Sequence, residues 1–98
     1  MKEDFLSICD LSVKELKKVF EFTKSIKRQP KKYRSYLSGK TLACIFEKQS
    51  LRTRVTFEVG IKQLGGNSIY LAPADISLGK RESVYDVTKN LERWVDGI

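Results

Sequence analysis

Phe46-Glu47-Lys48-Gln49-Ser50-Leu51-Arg52-Thr53-Arg54-Val55-Thr56-Phe57-Glu58 is where an apolar run, residues 41–46, gives way to a polar turn and then to helical spacing. The turn offers two hydroxyls and two guanidiniums within five positions, 50–54. The pattern predicts strand, turn and helix, with the helix starting near Ser50. The first N–H groups of a helix have no internal acceptor, and its dipole places partial positive charge there, so such a junction suits an anion. Ser50 and Thr53 add O–H donors, and Arg52 a planar fork matched to phosphate oxygens. The competing reading is an N-cap serine followed by solvated arginines. The anion reading is preferred because both hydroxyls and Arg52 are expected within the first turn. Arg54 lies about 200° further round the helix than Arg52. It is expected to hold the turn by pairing with an acid, either Glu58 at i+4 or a partner outside the helix.

Upstream, Ser12 and Glu15 have capping-box spacing, and Val13, Leu16, Val19 and Phe20 share one face. That helix is expected to end near Lys27, before Gln29-Pro30. Downstream, the second helix should stop at Gly65-Gly66. Its two apolar lines, Leu51-Val55-Val59 and Phe57-Ile61-Leu64, suggest burial on more than one side. Asn67-Ser68-Ile69-Tyr70-Leu71 reads as a second strand and residues 72–81 as a loop. A third helix is expected from Glu82 or Ser83, with Val84, Val87, Leu91, Trp94 and Val95 at helical spacing and Trp94 as a core anchor. The order is α–β–α–β–α. The fold class expected is α/β, a partial three-layer parallel-sheet domain that stops before its remaining strands. Two parallel strands cover their own faces poorly, so residues 1–98 are expected to be the front part of a larger domain.

The chain has 98 residues, 41% hydrophobic and 32% charged, the balance of a soluble globular domain of modest core. No apolar run approaches the roughly 20 residues of a membrane span, and the N-terminus lacks a secretory apolar region. There is no histidine, and Cys9 and Cys44 are far apart in apolar settings. A Cys/His metal site is therefore not expected, both cysteines read as reduced packing residues of a cytoplasmic protein, and the commonest acid–base side chain is missing. The net charge of +7 gathers partly in Lys24, Lys27, Arg28, Lys31, Lys32 and Arg34, interleaved with Tyr33 and Tyr36. These could contact phosphates and stack on bases. A cation-rich helix end and a solvated connector containing Pro30 is preferred, because nothing beyond the charge suggests a nucleic-acid module.

Together these segments resemble the N-terminal, carbamoyl-phosphate-binding part of the carbamoyltransferase family, the ornithine type most closely. The resemblance is carried by Phe46-Glu47-Lys48, the 50–60 segment, Gln63-Leu64-Gly65-Gly66, Asp75-Ile76-Ser77-Leu78-Gly79, Glu82-Ser83 and Val95-Asp96-Gly97-Ile98. It implies that Ser50, Leu51 (through its N–H), Arg52 and Thr53 bind the phosphate of carbamoyl phosphate, with no cofactor and no metal. Leu51 stands where the family usually has threonine, and Gln49 replaces the usual proline. One lost hydrogen bond to a charged group is worth ~1.5–3 kcal/mol. The resemblance also implies a homotrimer in which the loop bearing Ser77 reaches a neighbouring subunit. Ser77 and Lys80 faintly echo the serine and lysine of aspartate enzymes, so Ser77 is a candidate ligand and Lys80, like Arg54, a further candidate; an exposed loop tip is the alternative. The implied reaction is carbamoyl transfer to L-ornithine, giving citrulline for arginine biosynthesis. Aspartate, putrescine or an acylated ornithine are the alternative acceptors, and a basic anion- or nucleic-acid-binding module is the reading from another class. The family's carbonyl-polarising and acceptor-binding segments have no counterpart in these 98 residues, so by themselves they hold no catalytic residue and are not expected to turn over.

Overall fold

Ser12 opens the first long helix in the computed structural model, which describes residues 4–76 and 82–98. Its hydroxyl accepts from the Glu15 N–H at 3.1 Å, and the Glu15 carboxylate accepts from the Ser12 N–H at 3.0 Å. This is the reciprocal box that the spacing predicts. The donated amide also holds the Glu15 carboxyl below its ordinary range. The helix, α1, covers Val13–Arg28, and Gln29 caps it with an N–H to the Ser25 carbonyl. A short 3-10 turn, Ile8–Asp10, precedes it, and there Cys9 is exposed rather than packed.

The connector at Pro30 is itself a helical turn, α2, Pro30–Tyr33. Proline at the first helical position lacks only an N–H that would have no acceptor there. Tyr33 is buried, its hydroxyl 2.7 Å from Ser25 Oγ and its ring edge-on to Phe22 at 5.5 Å between centroids. Of the two tyrosines considered for base stacking, Tyr33 is thus a packing residue, whereas Tyr36 is exposed.

The chain forms two compact units, Met1–Tyr33 and Arg34–Ile98. In the second, β1 (Thr41–Ile45) pairs in parallel with β2 (Asn67–Leu71), in register from Thr41 opposite Asn67 to Ile45 opposite Leu71. Ala43 and Cys44 are buried at its centre. Between the strands runs α3, Arg52–Gln63. It stops where the Gly66 N–H reaches the Ile61 carbonyl at 2.9 Å and the Gly65 N–H the Lys62 carbonyl at 3.0 Å. This pair of bonds requires the left-handed backbone that Gly65 adopts, φ 89°.

After β2 the expected loop holds a further turn of helix, α4, Pro73–Ile76, again begun by proline. Then α5, Val84–Leu91, starts with Ser83 accepting from the Asp86 N–H at 3.0 Å, and Val87 is its buried residue. Trp94 is not the core anchor its spacing suggests. It lies beyond the helix end and is 73% exposed. After Leu91 the chain continues in turns, the Glu92 N–H reaching the Thr88 carbonyl and the Val95 N–H the Leu91 carbonyl, before residues 96–97 meet β1. The Asp96 N–H reaches the Thr41 carbonyl, the Ala43 N–H reaches the Gly97 carbonyl, both at 2.9 Å, and Gly97 bridges Leu42 in parallel. The Asp96 carboxylate accepts the Thr41 N–H at 2.9 Å and lies 3.6 Å from Lys40 Nζ. β1 is therefore flanked on both edges: the sheet has the two strands read from sequence, and the isolated bridge to Gly97 covers the other edge of β1. The architecture is α/β with a parallel sheet, as expected.

A Cβ at Gly65 would strike the Arg34 carbonyl in a backbone that other residues rarely adopt. Gly65→Ala is expected to cost at least about 2 kcal/mol, read as a lower urea midpoint with an unchanged slope.

Candidate anion-binding site

Leaving β1 at Ile45, the chain passes through the polar turn and enters α3 one to two residues later than the sequence suggests. Leu51, not Ser50, occupies the cap position, with φ −98° and ψ −59° and no side-chain cap. Ser50, half-buried, precedes the helix, and Arg52 and Thr53 form its exposed first turn. The helix's own first bond runs from the Val55 N–H to the Leu51 carbonyl at 3.0 Å. The N–H groups of Arg52, Thr53 and Arg54 stand ahead of that ladder, which supplies them no acceptor. An uncapped, solvent-open helix start flanked by a guanidinium and two hydroxyls is what an anion requires. The N-cap serine alternative is not the one that forms.

Arg54 takes a different course, as its angular position predicts. Its Nε donates to Glu58 Oε1 at 3.2 Å, and the pair is about one-third exposed, 39% and 30%. The guanidinium carbon also sits 3.4 Å above the centre of the Tyr70 ring. That contact was missed from sequence, which carries no signal linking a strand position to a helix position sixteen residues earlier. Tyr70 is the register partner of Cys44, and its ring lies 6.4 Å from that of Phe46. The Cys44 thiol is pushed up by burial and by the Glu58 carboxylate, with Arg54 opposing.

The charged pair thus packs on the sheet where an apolar stripe was expected. Val55, Phe57 and Val59 are each about half exposed, and Leu51 is 72% exposed. Ile61 and Leu64 remain half-buried. Ser77 and Lys80, the two loop candidates, lie outside the described residues. Among the described residues no group of three or more cysteine and carboxylate side chains could hold a metal ion.

Residues 3–98 match the family described as aspartate/ornithine carbamoyltransferase, carbamoyl-P binding domain. The chain belongs to this family. It is 52% identical over 95 residues to an ornithine carbamoyltransferase from Deinococcus radiodurans and 44% identical over 96 residues to one from Moritella profunda. The matches include 97% and 98% of this chain but 31% and 32% of those relatives. The chain therefore spans about a third of the length of the curated relatives it matches. The crystal structure of ornithine carbamoyltransferase from Thermus thermophilus superposes with a TM-score of 0.87 at 44% identity, over 100% of this chain and 34% of that one. The family's fold thus extends over both described units.

Burial and a raised pKa both keep Cys44 from forming thiolate, whereas Cys9 is open to solvent. Iodoacetamide near pH 8 is expected to alkylate Cys9 at least about tenfold faster than Cys44, as peptide mass mapping would show.

Proposed function

We propose that residues 1–98 are the N-terminal portion of the carbamoyl-phosphate-binding domain of an ornithine-type carbamoyltransferase, with the acceptor-binding domain formed by other residues of the complete enzyme. The observation that carries this is the uncapped start of α3, with Arg52 and Thr53 in its first turn and Ser50 just before it, in a chain of this family. In this reading the phosphate sits against the N–H groups of Leu51, Arg52 and Thr53, the two hydroxyls and the Arg52 fork.

The chemistry follows from that grip. The neutral δ-amine of L-ornithine attacks the carbonyl carbon of carbamoyl phosphate, the carbon–oxygen bond to phosphate breaks, and the amine gives up a proton. Citrulline and phosphate result. Residues 50–53 neutralise the leaving group and hold the carbonyl within reach of the amine, which is positioning and electrostatic work. Leu51 contributes only its amide, since it has no hydroxyl.

Ornithine is preferred as acceptor over aspartate because both curated relatives named above are ornithine enzymes. The reading extends to a cytoplasmic homotrimer in arginine biosynthesis, in which Ser77, and with it Lys80, reaches a neighbouring subunit's site. The residue resemblance supports the trimer, and two free cysteines are in keeping with the compartment. The nucleic-acid reading is not favoured, since residues 3–98 match the carbamoyl-P binding domain and one of its two tyrosines, Tyr33, is engaged in packing.

Arg52→Ala is expected to weaken carbamoyl phosphate binding roughly 10- to 100-fold by isothermal titration, the scale of a lost charge-assisted hydrogen bond. Unchanged affinity would contradict the role assigned to Arg52. Restoring a hydroxyl with Leu51→Thr is expected to tighten binding about three- to tenfold in the same titration.

A further inference from the structure

The anion turn has little local means of holding its shape. Its cap residue, Leu51, offers no side-chain acceptor, and Gln49 leaves φ unfixed where a proline would set it. Yet a turn that must present three amides to one anion binds better the less it has to be ordered on binding. One ring outside the turn touches both of its flanks. Tyr70, one residue from the end of β2, lies against Phe46 on the near side of the turn, with ring centroids 6.4 Å apart and planes tilted by 33°. It also lies against Arg54 on the far side, with the guanidinium carbon 3.4 Å from the ring centre.

We propose that Tyr70 is a positioning residue for the anion site, its ring pinning both flanks of the turn between Phe46 and Arg54. Arg54 then serves the anion only through this brace and is not one of its ligands. Its flat face is taken by the ring and its Nε by Glu58. A planar cation held at once by face and edge is fixed in two directions, which lysine cannot reproduce. Arg52, two residues earlier, has neither of these partners and is exposed at the turn. The two arginines divide the work: one faces solvent and ligand, the other anchors the helix start to the sheet. Cys44, in register with Tyr70, is buried beside it on β1.

The inference rests on the anion-site reading above, and one titration series separates the two. Carbamoyl phosphate and inorganic phosphate are titrated into the wild-type protein and into Arg52→Ala, Tyr70→Leu and Tyr70→Phe. Tyr70→Leu is expected to weaken both ligands about five- to tenfold and to speed amide hydrogen exchange across residues 50–54. Tyr70→Phe, which keeps the ring, is expected to retain wild-type affinity and exchange. No binding by the wild type would remove the anion-site reading itself. If the wild type binds, Arg52→Ala does not, and Tyr70→Leu matches the wild type, the brace alone is refuted. Equal damage from Phe and Leu would also overturn it, because the hydroxyl rather than the ring would be responsible. Should Tyr70→Leu fail to fold, the wild type still decides by NMR. Stacking at 3.4 Å requires the Arg54 Nε–H resonance to be shifted upfield by the ring, and an unshifted resonance would overturn the proposal.

Discussion

Two parallel strands cannot be joined by a tight turn, so the chain that leaves β1 at Ile45 must travel back along the sheet before β2 can begin at Asn67. α3 is that return path. Its 12 residues rise about 18 Å, close to the ~17 Å of a five-residue strand. The match leaves the helix start beside the carboxyl ends of both strands, the end of an open α/β sheet at which ligands are bound. The orientation of the anion turn is thus a consequence of strand pairing. Tyr70 stands near the first turn of α3 for the same reason, since the ends of β1 and β2 are in register.

Features whose chemistry is local were readable from sequence. The Ser12–Glu15 box and the Gly65–Gly66 stop each involve residues three to five apart, and the pairing of Arg54 with Glu58 follows from one helical turn. The one-turn helices at Pro30 and Pro73 carried a signal, proline at a first helical position, that was read only as interruption. The shift of the helix start from Ser50 to Arg52 lies within the usual uncertainty of a helix boundary, yet it changes the chemistry because it puts leucine at the cap. Trp94 and Tyr70 were not readable. One leaves its helical spacing just before Asp96 and Gly97 pair with a strand more than fifty residues earlier, and the other meets Arg54 only across the sheet.

Burial is sparse among the described residues, and in the second unit it falls on β1 and α5. Among the described apolar residues Tyr33, Ala43, Cys44 and Val87 are buried, while Val13, Phe20, Val84 and Tyr85 stay open. The open side chains of α1 and α5 contribute less than the ~1.5–3 kcal/mol that full burial of one brings. A half-buried Arg54–Glu58 pair over an aromatic ring occupies the sheet face instead. Such a pair costs desolvation, but it has a direction, and directional contacts fix a helix start where apolar ones would let it slide.

The Asp96 contact with Thr41 has a meaning in time as well as in space. It closes a loop of 55 residues, whereas Thr41 to Asn67 is about half that separation. Each doubling of a loop adds about 0.6 kcal/mol of closure entropy. The α3 crossover is therefore the shorter route from an unfolded chain, and the second edge of β1 is the dearer closure. The same ranking holds in reverse when the native state opens. The bonds of Asp96 and Gly97 involve one edge of β1 alone, and the pairing of β1 with β2 and the turn between Phe46 and Arg54 use none of them.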